Sequence, residues 1–284
     1  MRDKFYRLAA GLYTTGVFTA AALGRSESAA DEPAPVEATA WDPSDRWTVQ
    51  IEPMVWFAAM KGDVTFRNGS TFELQQVDMD EVHAAPAGRF SLRASRWTFE
   101  FSGASVGFED DGRADTDIDT GTFTVAAGDR VDFDLTYSAF KLTAGYAFDP
   151  IIRDDESEVA LWVDAYGGVQ LYHLDFEFGP SGADDRINVE EAWLEPLVGV
   201  RFNINLPRGF EVGVSLDAGA AINGGTGFAW DISPSFRWFP MENKTVAIEV
   251  GFRHLAADLS TGDDEDFQFD TFTAGLFASV VIRF

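Results

Sequence analysis

The chain has 284 residues, with 47 Asp and Glu against 21 Lys and Arg, a formal net charge of -26 and no cysteine. Nucleic-acid phosphates are held by basic surfaces, and no basic cluster exists here, so nucleic acid is not a partner. The missing cysteines exclude disulfides and thiolate metal sites, and leave 26 Phe and 8 Trp to be accounted for in a very acidic chain.

In chain order, a charged start, MRDKFYR, precedes an uncharged run at 8–24 and then small residues, which predicts a secretory signal over 1–30 that is removed on export. The uncharged run is short for a helix that must cross a bilayer in about 20 residues. Residues 31–46 are rich in Pro, Asp and Glu and read as an exposed lead-in. Beyond them the longest uncharged stretch, 218–230, is broken by glycines, so no transmembrane helix is expected.

From Trp47 onward the apolar residues recur at every second position, the period of a strand. Trp47, Val49, Ile51, Val55 and Phe57 share one parity, followed by a weaker candidate at 84–93 and by Trp97, Phe99 and Phe101. The segment 131–148 alternates throughout, but its apolar parity changes near Ala139; this reads as a bulge or a passage out of the membrane. Further strands are expected at 159–165, 194–206, 210–222, 228–238 and 246–252, and a last one whose Ala274, Leu276, Ala278, Val280 and Ile282 alternate up to Phe284. That makes about ten strands, with eight or twelve as alternatives.

The links between them alternate in length. Short turns near 94–96, 207–209 and 240–244, with an intermediate one at 149–158, face longer acidic links at 60–82, 109–130, 179–187 and 259–266; only 223–227 is short where a long link is due. Trp47, Trp97, Tyr146, Phe148, Phe210, Trp238 and Phe284 cluster at the short-turn end, and Phe57, Phe176, Phe178, Phe228, Trp230 and Phe269 are expected to form a second aromatic belt. Opposite the apolar parity stand Glu52, Arg89, Glu100, Lys141, Asp164, Glu195, Arg201, Asp217, Asp231, Arg237, Glu249 and Arg253. A soluble sandwich would have to bury these charges at several kcal/mol each unless paired; a closed barrel in lipid turns its apolar face outward and keeps them in the lumen. The fold class is therefore all-β, an antiparallel up-and-down transmembrane barrel over 47–284.

The signal segment, alternating strands and terminal aromatic strand resemble Gram-negative outer-membrane β-barrel proteins, in the small porin-like group similar to the OmpA membrane domain. The resemblance covers 47–284. It implies that Leu276, Val280, Ile282 and Phe284 are the signal read by the outer-membrane assembly machinery, and that the barrel lives in the outer membrane among lipids and lipopolysaccharide.

Chemistry is sparse. His173 shares a face with Asp175, and His83 and His254 fall toward loop ends; barrel proteases and lipases use such groups, but their local motifs are not recognisable here. Asp115, Asp117 and Asp119 are spaced as in calcium loops, yet the sixth position is Thr120 rather than Gly and the twelfth is Ala126 rather than Glu. No catalytic residue, metal site or cofactor is expected. Diffuse sharing of divalent cations between acidic loops and lipopolysaccharide is. The expected role is a non-enzymatic structural or surface-interaction barrel; a narrow pore for small solutes and a rim hydrolase of lipid or peptide are the alternatives. About ten strands favour an interior filled by side chains over an open channel.

Overall fold

The computed structural model describes residues 47–261 and 267–284, apart from 67, 78, 155, 184 and 223–226. The expected signal segment and lead-in lie outside the described residues, as does most of the links at 223–227 and 259–266. Ten long strands form a closed antiparallel cylinder: β1 Trp47–Phe66, β2 His83–Ala94, β3 Trp97–Arg113, β4 Arg130–Ala147, β5 Val159–Pro180, β6 Ile187–Leu206, β7 Phe210–Ala220, β8 Gly227–Trp238, β9 Val246–Thr261 and β10 Phe267–Arg283. Each pairs with the next, and β10 closes the barrel on β1 with Leu276 opposite Phe57. Closure leaves no unpaired sheet edge, a condition of spanning lipid with strands. The short turns use residues in the left-handed region: Ser95, Arg208 with Gly209, and Lys244.

Two cross-strand pairs show how tightly the wall curves. Gly199 faces Tyr166 and Gly251 faces Phe277, and a Cβ on either glycine would stand 2.4 Å from the opposite ring. The aromatic ring covers the bare glycine backbone and takes the space its side chain would need.

Several strands run longer than the alternation predicts, and the reason is an exchange of faces along their length. In β4 the odd positions point inward from end to end: Lys141 and Thr143 near the short-turn half, then Ala139, Tyr137, Leu135, Phe133 and Val131. The register to β3 and β5 is continuous, pairing Trp97 with Tyr146 and Arg113 with Arg130. No bulge accompanies the change of parity near Ala139. What changes is the surroundings: below that level the wall is apolar outside and polar inside, and above it the wall has left the lipid. There, as in a soluble protein, apolar side chains fill the inside and Asp132, Asp134 and Thr136 cover the outside. β1 repeats the exchange, with Ile51, Val55 and Phe57 outward below, Trp56, Ala58, Met60, Val64 and Phe66 inward, and Lys61, Asp63 and Thr65 outward above.

The same exchange corrects the expected second belt. Phe57, Phe228 and Trp230 face outward, but Phe176, Phe178 and Phe269 are fully buried inside; Phe272 stands outward in their place. The belt at the short-turn end faces outward as a whole, with Trp97 edge-on to Tyr146 at 5.2 Å and Phe210 stacked on Phe236 at 5.3 Å. Between the belts, Val198, Ile248, Val250, Leu216 and Val280 are exposed on the outer wall. Leu276, Ile282 and Phe284 also point outward.

Candidate functional site: the barrel interior

The interior is layered. All twelve charged residues picked out by parity stand inside the wall, and most meet an opposite charge. Lys141 donates to both oxygens of Asp217 at 2.8 Å and reaches Asp231 at 3.3 Å; Arg253 holds Asp231 at 2.7 Å. Glu52 bridges Arg89 at 2.9 Å and Arg237 at 3.1 Å, and Arg237 also meets Glu249 at 2.9 Å. Arg201 meets Glu100 at 3.1 Å. Asp164 is less tightly held, 3.4 Å from Asn203 and 3.9 Å from Arg93. Glu195 is buried, its Oε2 without a hydrogen-bond partner among the described residues, across the ladder from Gln170, both of whose amide atoms share that condition.

Burying charge is repaid only when geometry and hydrogen bonding are good. The pairs of Lys141, Arg253, Arg89, Arg237 and Arg201 meet that condition, and three rings help by offering their faces to guanidinium groups: Tyr166 to Arg201 at 5.3 Å, Trp56 to Arg253 at 5.2 Å and Phe239 to Arg283 at 4.2 Å. Members that parity reading did not single out are Arg93, Glu211, Arg283 and Tyr166, whose hydroxyl donates to Asp217 at 2.7 Å. Arg93, Glu211 and Arg283 lie on the polar parity and were legible there; Tyr166 follows the predicted end of its strand and carried no polar signal.

Above the ionic layer the interior is mostly apolar. Trp193, Tyr172, Phe108, Phe176, Phe178, Leu135 and Leu174 are fully buried, with Tyr137 stacked on Tyr172 at 6.0 Å and tilted against Phe269 at 5.8 Å. The long links contribute to this layer and do not simply project as acidic loops. Phe72, Leu74 and Met79 tuck into it, Phe72 lying 5.2 Å from Phe178, and the hairpin formed by Ile118–Asp119 and Thr124–Val125 adds Ile118 and Val125. In that hairpin Asp117 accepts from the Ala127 amide at 2.8 Å and Asp119 from the Gly121 amide at 2.9 Å. Their carboxylates brace the backbone, and no group of three or more His or acidic residues suited to a metal occurs among the described residues.

Below the ionic layer a cavity of about 470 Å³ reaches the short-turn end, lined among others by Thr48, Asp164, Asn205, Glu211, Arg237 and Arg283.

The histidines do not assemble a site. His83 faces inward at the rim, edge-on to Phe108 at 4.7 Å. His254 faces outward between Trp230 at 4.9 Å and Phe272 at 5.8 Å. His173 also faces outward, on β5, with Nε2 3.6 Å from Glu190 Oε1.

Outside, above the lipid-facing band, carboxylates line up across strands. Asp258, Asp270, Asp63 and Glu73 are successive register partners on β9, β10, β1 and the short strand Thr71–Glu73, and Glu109, Asp134 and Glu177 form a second row on β3, β4 and β5. Burial, reinforced by Asp258 and Asp63, pushes the Asp270 carboxyl up to about 6; burial and then Glu109 raise Asp134.

No family model and no curated protein matches the chain. Among solved structures it is similar to the outer membrane protease OmpT of Escherichia coli, with a TM-score of 0.46 and 9% identity over 87% of this chain and 100% of that one. It is also similar to a major outer membrane protein of Thermus thermophilus, with a TM-score of 0.39 and 9% identity over 83% and 99%. A third is Ail, the attachment invasion locus protein of Yersinia pestis, with a TM-score of 0.33 and 12% identity over 83% and 99%.

Proposed function

We propose that this outer-membrane β-barrel is a closed, non-enzymatic barrel that stabilises the envelope and presents a surface, and is not a conduit for solutes. The observation that carries this reading is the sealed upper interior: from Met60 and Phe72 to Phe178 and Phe269 the aromatic layer reaches across the lumen, and the inturned links fill what the strands leave. A solute path would need polar, hydrated walls from end to end, whereas here the charged lining gives way above Lys141 to mostly apolar side chains.

The rows of carboxylates stand just above the outer aromatic belt, where lipopolysaccharide phosphates lie. Divalent cations shared between the two would tie the barrel into its leaflet without a dedicated site. Leu276, Val280, Ile282 and Phe284 are proposed as the segment read by the assembly machinery. The role is tested in the native host: cells lacking the protein should lose resistance to chelators and detergents, and the intact gene should restore it. Unchanged resistance combined with slower uptake of a small solute would favour the pore instead.

A further inference from the structure

The cavity at the short-turn end holds a pattern that the closed upper barrel does not explain. Its volume, about 470 Å³, is that of a small-ligand pocket, which spans roughly 300–1,000 Å³. On the β5–β6 wall two buried acceptors, Asp164 Oδ1 and Asn205 Oδ1, make no hydrogen bond among the described residues. On either side of Glu52, Arg237 Nε makes no hydrogen bond among the described residues, and Arg89 Nε makes none but stands 3.7 Å from Glu100 Oε1. All four residues line the same cavity. Buried polar atoms left without partners are costly, and native structures give most of them a partner in protein, water or a ligand.

Beside the cavity Glu211 stands 3.4 Å from both Arg237 and Arg283, and Asp164 3.9 Å from Arg93.

We infer that this cavity binds a small zwitterion of the amino-acid or dipeptide class, its ammonium group donating to Asp164 and Asn205 and its carboxylate accepting from Arg89 and Arg237. A simple anion would satisfy the guanidinium side and leave Asp164 unmatched. A simple cation would do the reverse. A neutral polyol would bring hydrogen bonds but no charge to either wall.

Calorimetric titration of the full chain, folded in detergent, tests this with glycylglycine as probe and acetate, methylammonium and sucrose as comparisons. Glycylglycine should saturate and bind more tightly than the other three. Asp164→Asn should weaken it roughly 10-fold, the scale of one charge-assisted hydrogen bond, and Glu190→Gln on the outer wall should leave it unchanged. Heat-modifiable migration in gels reports whether each variant folds; if Asp164→Asn does not, Asn205→Ala provides the same comparison with a smaller loss. Absence of saturable binding, equal binding of sucrose, or affinity unchanged in the folded acceptor variant would overturn the inference.

Discussion

Lys141 meets two buried aspartates, Asp217 at 2.8 Å and Asp231 at 3.3 Å. Lys141→Met should destabilise the barrel by about 3–5 kcal/mol, the cost of leaving a buried partner unpaired, as read from urea unfolding in lipid vesicles. Adding Asp217→Asn should recover part of that loss; a single variant as stable as the parent would mean that the pair is hydrated and inconsequential. On the wall itself, Val200→Arg should cost roughly 2–4 kcal/mol at mid-membrane, while Asn203→Arg, which points inward toward Asp164 at 3.4 Å, should cost much less. Equal costs would reverse the two faces. The sides of these residues were legible from a period of two alone. Tyr166 was not, since an aromatic bonded to Asp217 looks in sequence like any other girdle ring.

At the level of elements, the change of parity in β4 was visible in the sequence, but its cause was not, because a bulge and an exchange of surroundings leave the same trace. Only the unbroken register between β3, β4 and β5 separates them. The misplaced Phe176, Phe178 and Phe269 follow from the same ambiguity: a ring near the outer end of a strand serves equally as a girdle residue or as filling for an extramembrane core. The carboxylate rows on these projecting ends have a pH signature. Like charges directly opposite one another in a sheet are destabilising. Asp270 is raised in the folded barrel from 3.8 to about 6, so the folded state binds this proton more tightly than the unfolded chain. The stabilisation is therefore fully present below about pH 4 and is lost as pH rises through about 6. Asp270→Asn should remove this dependence and stabilise the barrel at pH 8 by about 1 kcal/mol, after allowance for solvent screening. Unfolding midpoints of parent and variant at pH 4.5 and pH 8 check it; a variant with the parent's pH dependence would assign the effect elsewhere.

At the scale of the whole molecule, the fold was legible because lipid imposes a simple rule on a strand wall, oil outside and ions inside, and alternating link lengths reveal which end is which. The closure of the lumen was only partly legible. Strand number favours a filled interior, but part of the filling comes from inturned links, whose Met79, Ile118 and Val125 lie outside the alternating segments. Single-channel recording in planar bilayers bears most directly on the sealed interior. The parent protein should give no discrete conductance steps. Reproducible steps from the parent, in a preparation whose folding is shown by heat-modifiable migration, would contradict a closed barrel.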